Sequence, residues 1–180
     1  MLDLNEFKNK VHSNAREHGW WPEDNPRSFS EINALIHSEW SEALEAYRNH
    51  EPMVWIDREK GNKPDGIAIE LIDGCIRILD WMGYVDYEIK PIKEEKCYVI
   101  LDENWGNEPP TLPELVALLH YFTADAFGTK TDILHCDGLY FSIINVFLWL
   151  RKNGIEPEEV MIAKHEYNKT RPYRHGDKAL

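Results

Sequence analysis

Ile32-Asn-Ala-Leu-Ile-His-Ser-Glu-Trp-Ser-Glu-Ala-Leu-Glu-Ala46 reads as one amphipathic helix with an acid in its apolar stripe. Ile32, Leu35, Ile36, Ala43 and Ala46 recur at helical spacing, and the member missing at i+7 is Glu39, with Glu42 one turn further along the edge. Ile67-Ala-Ile-Glu-Leu-Ile-Asp-Gly-Cys-Ile76 repeats the anomaly with Glu70 and Asp73. Four carboxylates on two core-building helices repel one another and cost on the order of several kcal/mol to desolvate unless a cation joins them. A divalent metal ion is the most economical one.

Working outward, Ser28-Phe-Ser-Glu31 forms a capping box in front of that helix, which runs to about Asn49. A first helix is expected over about 3–18 through Leu4, Phe7 and Val11, then a loop through Gly19-Trp-Trp-Pro-Glu-Asp-Asn-Pro26. Residues 50–63 read as a polar loop, with Pro64 in the first turn of a third helix ending near Gly83. On that helix Gly66, Glu70, Asp73, Arg77 and Asp80 occupy one narrow stripe of an otherwise apolar surface. Such a helix belongs in the middle of a bundle, with the stripe lining something internal.

Cys97-Tyr-Val-Ile-Leu101 resembles a short strand in a stretch that is otherwise irregular. Thr111-Leu-Pro-Glu114 is a second capping box, opening a helix to about Phe127. Another helix is expected from Asp137 or Gly138 to Asn153-Gly154, and a last one from Glu156-Pro157 to Pro172. The expectation is a single all-α domain over residues 1–180, about six helices with a four-helix-bundle core, and a partly irregular insertion at about 85–136.

Bulk properties narrow the function. The net charge of −12 argues against duplex nucleic acid as a partner. No membrane partner is expected either, because no apolar run approaches the roughly 18–20 residues that span a bilayer. The first residues lack the basic and apolar regions of a signal peptide. Cys75, Cys97 and Cys136 have no CxxC spacing, so the expected setting is a reducing cytoplasm. Against the acidic whole, Lys164, Lys169, Arg171, Arg174 and Lys178 make the end of the chain basic.

Glu39-x-x-Glu42 and Glu70-x-x-Asp73 each put two carboxylates about 60° apart on a helix, within joint reach of an ion. Oxygen donors without His or Cys select Mg²⁺, with Mn²⁺ as substitute, over zinc or copper. Di-iron bundles use Glu-x-x-His, which this chain lacks. Two alternatives stay open: solvated helix faces, common for Glu-x-x-Glu, and a buried ion-pair network through Arg77.

Glu39-x-x-Glu42, 27 intervening residues and Glu70-x-x-Asp73 resemble the signature of the MazG-like all-α nucleotide pyrophosphohydrolases. His37-Ser-Glu-Trp-Ser-Glu-Ala-Leu-Glu-Ala-Tyr-Arg48 is similar to that family's metal-binding helix, and Lys164-His-Glu-Tyr-Asn-Lys-Thr-Arg-Pro-Tyr-Arg-His-Gly176 to its terminal segment. The resemblance covers roughly residues 15–83 and 138–178. It implies hydrolysis of a nucleoside triphosphate, NTP or dNTP, to the monophosphate and pyrophosphate. It also implies a homodimer or larger homo-oligomer.

By the same resemblance Glu39, Glu42, Glu70 and Asp73 become the Mg²⁺ ligands, with Glu39 or Glu42 doubling as catalytic base. Lys164, Asn168 and Arg171, at i, i+4 and i+7, would grip phosphates, with Arg174 as a weaker candidate. A basic last turn also complements a helix dipole without any ligand. His37 and Trp21 are candidates for holding the base, though a histidine or tryptophan in a bundle is more often core. The alternative function is a non-catalytic helical module that binds metal or nucleotide to regulate a partner.

Overall fold

The structure is a computed structural model that describes residues 2–90 and 109–174. Among the described residues there are six helices and one two-stranded hairpin. Helix α1 (Leu4–Glu17) is capped by Asp3, whose side chain accepts the amides of Asn5 and Glu6. Helix α2 (Phe29–Arg48) starts at the expected capping box: the Glu31 amide donates to Ser28 Oγ, and the Ser28 amide donates to Glu31 Oε2. Helix α3 (Ile67–Tyr84), α4 (Leu112–Gly128), α5 (Asp132–Lys152) and α6 (Pro157–Lys169) follow. The all-α class is as expected from the helical periodicities.

Helix α3 is the axis of the molecule. Fourteen of its 18 residues are buried, and it packs against α1, α2, α5 and α6. Helices α2, α3, α5 and α4 close a ring of pairwise contacts, the bundle core, while α1 and α6 cover the remaining sides of α3. Gly74 permits the tightest packing in this ring. A Cβ there would stand 2.2 Å from the Trp40 ring, and Trp40, fully buried, donates its indole N–H to Thr123 Oγ1 of α4 at 3.0 Å.

Several boundaries differ from the sequence expectation. Pro64 does not open α3; it lies in strand β2 (Lys63–Asp65), paired antiparallel with β1 (Trp55–Asp57). The helix begins after Gly66, whose φ of 111° and approach to the Pro52 carbonyl, 2.6 Å from a hypothetical Cβ, admit only glycine. Helix α5 begins at Asp132, behind a Thr131 cap, and not at Asp137 or Gly138. Its first turn carries Ile133 and Leu134 on the surface, 65% and 49% exposed, so no buried stripe announces it.

Within the stretch set apart as a partly irregular insertion, the helix expected to open at the Thr111 capping box is present as Leu112–Gly128 and packs on α2 and α5. The strand expected at Cys97–Leu101 lies outside the described residues. By length and composition alone α5 is apolar enough to cross a membrane, a test that buried core helices also pass. Of its most apolar window, 61% is buried inside the protein, as in a core helix.

Candidate metal centre and its cationic wall

Packing α2 on α3 brings Glu39 from the middle of one helix onto Glu70 and Asp73 in the first turns of the other. One carboxylate oxygen from each lies within 4.8 Å of the others, the separation at which a single small cation can bridge all three. Glu39 and Glu70 are 5% and 7% exposed. The acid that broke the apolar stripe of α2 is therefore internal.

Cations meet two of the three acids. Arg77, one turn beyond Asp73, donates its Nε–H to Glu39 Oε1 at 2.5 Å. Lys164 of α6, 1% exposed, places its ammonium 2.7 Å from Asp73 Oδ2. Glu70 has no cation in contact among the described residues; Lys164 and Lys63 act on it only from a distance. The carboxyl group within its hydrogen-bonding reach is that of Asp65. Asp65 in turn holds Lys63 Nζ at 2.8 Å and the Gly66 amide at 2.9 Å.

The electrostatics follow from that arrangement. Burial raises the Glu39 carboxyl, with Asp73 adding to the rise and Arg77 opposing it. Burial, then the charge of Asp73, pushes Glu70 up to about 8. Near neutrality Glu70 thus tends to hold a proton beside two other acids. A hard divalent ion would replace that proton and supply the charge the cluster lacks. An all-oxygen donor set on two rigid helices fits Mg²⁺ or Mn²⁺.

The fourth expected ligand stands apart. Glu42 is exposed at the rim of the cluster, and its Oε1 accepts from Ser38 Oγ at 3.0 Å on the same helix. Its charge still reaches Glu39 and helps raise that carboxyl.

Beside the acids, a cleft opens between α1, α3, α6 and the loop leading into α2. Asp73 and Arg77 form its edge toward the cluster, and Asn168 and Arg171 from the end of α6 form another wall. The expected Lys164–Asn168–Arg171 face is thus divided, with Lys164 bonded to the acids and the other two turned to the cleft. Arg171 lies just past the helix end, where its amide donates to the Asn168 carbonyl at 3.3 Å. Asn168 Oδ1 is buried with no hydrogen-bond partner.

Other expected contacts lie elsewhere. Arg174 donates its Nε–H to the Gly19 carbonyl and its amide to the His18 carbonyl, both at 3.0 Å, so it fastens the chain end to the 18–19 loop. Trp21 is 7% exposed; its indole N–H donates to Asp80 and its ring stacks on Tyr84 at 4.2 Å. His37, two residues from Glu39 and so about 200° around α2, points away from the acids. Its Nδ1 pairs with His120 Nδ1 at 2.7 Å.

Sequence reasoning passed over Asp65, Lys63 and Arg27, and took Trp20 only as a stacking surface for the base. The loop residue Arg27 lines the cleft and lies over the Trp20 ring at 4.4 Å. Its one sequence signal is its position just before the Ser28 cap, where a residue enters the helix at a defined angle. Comparison with known protein families, curated proteins and solved structures returned no match.

Proposed function

We propose that this protein is a Mg²⁺-dependent nucleotide pyrophosphohydrolase that cleaves a nucleoside triphosphate to the monophosphate and pyrophosphate. The observation that carries the proposal is the meeting of Glu39, Glu70 and Asp73 within 4.8 Å, beside a cleft walled by arginines. Acids that bind a hard cation next to groups that bind anions suit a metal–polyphosphate complex. The acid spacing also resembles the family signature described above.

Glu39, Glu70 and Asp73 would hold the ion, with Glu42 swinging in from the rim. When bound, the ion supplies charge neutralisation at the phosphoryl group and lowers the pKa of water. Lys164, already at the cluster edge, would orient a phosphate oxygen once substrate competes for its ammonium. Glu42 carries no cation partner among the described residues, so it is the carboxylate available to accept a proton from the attacking water. Assembly as a homodimer or larger oligomer is part of the same proposal.

One observation favours a second reading. Arg77 and Lys164 already neutralise Glu39 and Asp73, as a purely structural ion-pair network would require. Incubation of the pure protein with a panel of NTPs and dNTPs plus Mg²⁺, with products resolved, separates the two. Monophosphate and pyrophosphate are expected, with Glu70→Gln reducing turnover at least about 100-fold. Absence of turnover on every nucleotide, in wild type and Glu70→Gln alike, would leave the ion-pair network as the better account.

A further inference from the structure

Three guanidinium groups face the cleft: Arg27 from the loop before α2, Arg77 from α3 and Arg171 from the end of α6. Burial disfavours ionisation of Arg27 and Arg171, and the nearby charge of Arg77 adds to it, while Asp80 and Asp73 oppose it from a distance. Arg77 is balanced by Glu39. Arg27 and Arg171 make no ion pair among the described residues, although both are half-buried. A half-buried guanidinium with no contacting counter-charge keeps its N–H donors free for an anion.

The acids in the cleft wall do not supply that counter-charge by contact. Asp73 is bonded to Lys164 at 2.7 Å. Asp80 accepts from His12 Nδ1 at 2.8 Å and from Trp21 Nε1 at 2.9 and 3.0 Å. Their carboxylates act on Arg27 and Arg171 only through space. Asn168 completes the lining, and its Oδ1 is buried without a hydrogen-bond partner.

We infer that this cleft is a pyrophosphate subsite: it receives the two terminal phosphates of the substrate, and Arg27 is the residue that, with Arg171, discriminates a diphosphate from a single phosphate. This rests on the proposed reaction and adds its polarity. The phosphoryl group to be attacked lies at the acids, and the leaving pyrophosphate extends past Asp73 and Arg77 into the cleft. Two forked guanidinia on separate elements can each take two oxygens, which suits a diphosphate and exceeds what orthophosphate offers. Trp20 lies under Arg27 and holds it by a cation–π contact at 4.4 Å.

The test uses the full-length protein in EDTA, so that metal binding at the acids plays no part. Inorganic pyrophosphate is titrated by calorimetry, with orthophosphate and AMP as comparisons. Pyrophosphate is expected to bind at least tenfold more tightly than either, and both Arg27→Gln and Arg171→Gln to weaken it at least tenfold. Arg27→Lys, which keeps the charge and loses the fork, is expected to recover only part. Circular dichroism melts identify any variant that has lost its fold, in which case the other variant decides.

Equal affinity for orthophosphate, or tighter binding of AMP, overturns the assignment. Pyrophosphate binding unaffected by both substitutions also overturns it. Nucleotide turnover with no Arg27 effect on product inhibition by pyrophosphate would remove the subsite and keep the hydrolase. Arg27-dependent pyrophosphate binding in a protein without turnover would do the reverse.

Discussion

Arg77 on α3 donates its Nε–H to Glu39 Oε1 on α2 at 2.5 Å, tying the two most extensively packed helices together through their charged residues. The pair is asymmetric: the Glu39 side chain is 6% exposed and that of Arg77 32%. Removing either partner therefore has a different consequence, because one survivor can reach water and the other cannot.

Arg77→Met leaves a buried carboxylate beside Glu70 and Asp73 and is expected to destabilise the metal-free protein by about 3 kcal/mol. Glu39→Leu restores the apolar stripe and leaves a guanidinium with access to solvent, for a loss of about 1 kcal/mol or less. Urea denaturation in EDTA measures both. A larger loss for Glu39→Leu than for Arg77→Met would show that the ion pair itself, and not the stranded acid, dominates.

Mg²⁺ is expected to raise the melting temperature in proportion to its differential binding, by about 2.7 kcal/mol of stability at a hundred times its Kd. Glu39→Ala and Glu70→Gln should each abolish that rise. Persistence of the full rise in both variants would mean that the ion binds elsewhere.

The pH dependence of the metal-free protein should carry the sign of Glu70. Burial and Asp73 raise its carboxyl from 4.5 to about 8 in the folded state. Between those values the folded chain binds the extra proton, so stability is full below about 4.5 and is lost as pH rises through about 8. Thermal melts in EDTA from pH 5 to 8.5 should fall more steeply for wild type than for Glu70→Gln. Saturating Mg²⁺ should flatten the wild-type curve, because the ion takes the place of the proton. Parallel curves for wild type and Glu70→Gln in EDTA would be incompatible with this account.

Gly74→Ala adds a Cβ that must displace the Trp40 ring, 2.2 Å away. Overpacking of this kind costs about 1–3 kcal/mol, against a helix-propensity gain of about 1 kcal/mol. Net destabilisation is expected, with a shift in tryptophan fluorescence as Trp40 moves from Thr123. An unchanged or raised melting temperature would mean that the α2–α3 contact relaxes freely.

The readable part of this protein was the part governed by local rules. Both capping boxes, at Ser28 and Thr111, work through atoms three residues apart, and the stripes of α2 and α3 repeat within each helix. Glu39, Glu70 and Asp73 could be singled out for the same reason: an acid in an apolar stripe is visible before any packing is known. A three-residue strand has no period to detect, so the sequence puts Lys63 in a loop and Pro64 and Asp65 in the first turn of a helix. The start of α5 was missed because Ile133 and Leu134, its first apolar residues, face solvent.

By itself, the sequence determined the all-α class, the central helix and three of the four acids it grouped, Glu39, Glu70 and Asp73 but not the exposed Glu42, because periodicity and the cost of burying charge are properties of one helix at a time. Only the tertiary structure decided how those charges are balanced. It paired Glu39 with Arg77 and Asp73 with Lys164, left Glu70 facing Asp65, and turned Arg27 and Arg171 onto one cleft. It also separated neighbours: Trp21 bonds to Asp80 in the core, while Trp20 underlies Arg27 in the cleft wall. Electrostatic partners are chosen by proximity across helices, and that proximity exists only once α2, α3 and α6 are packed.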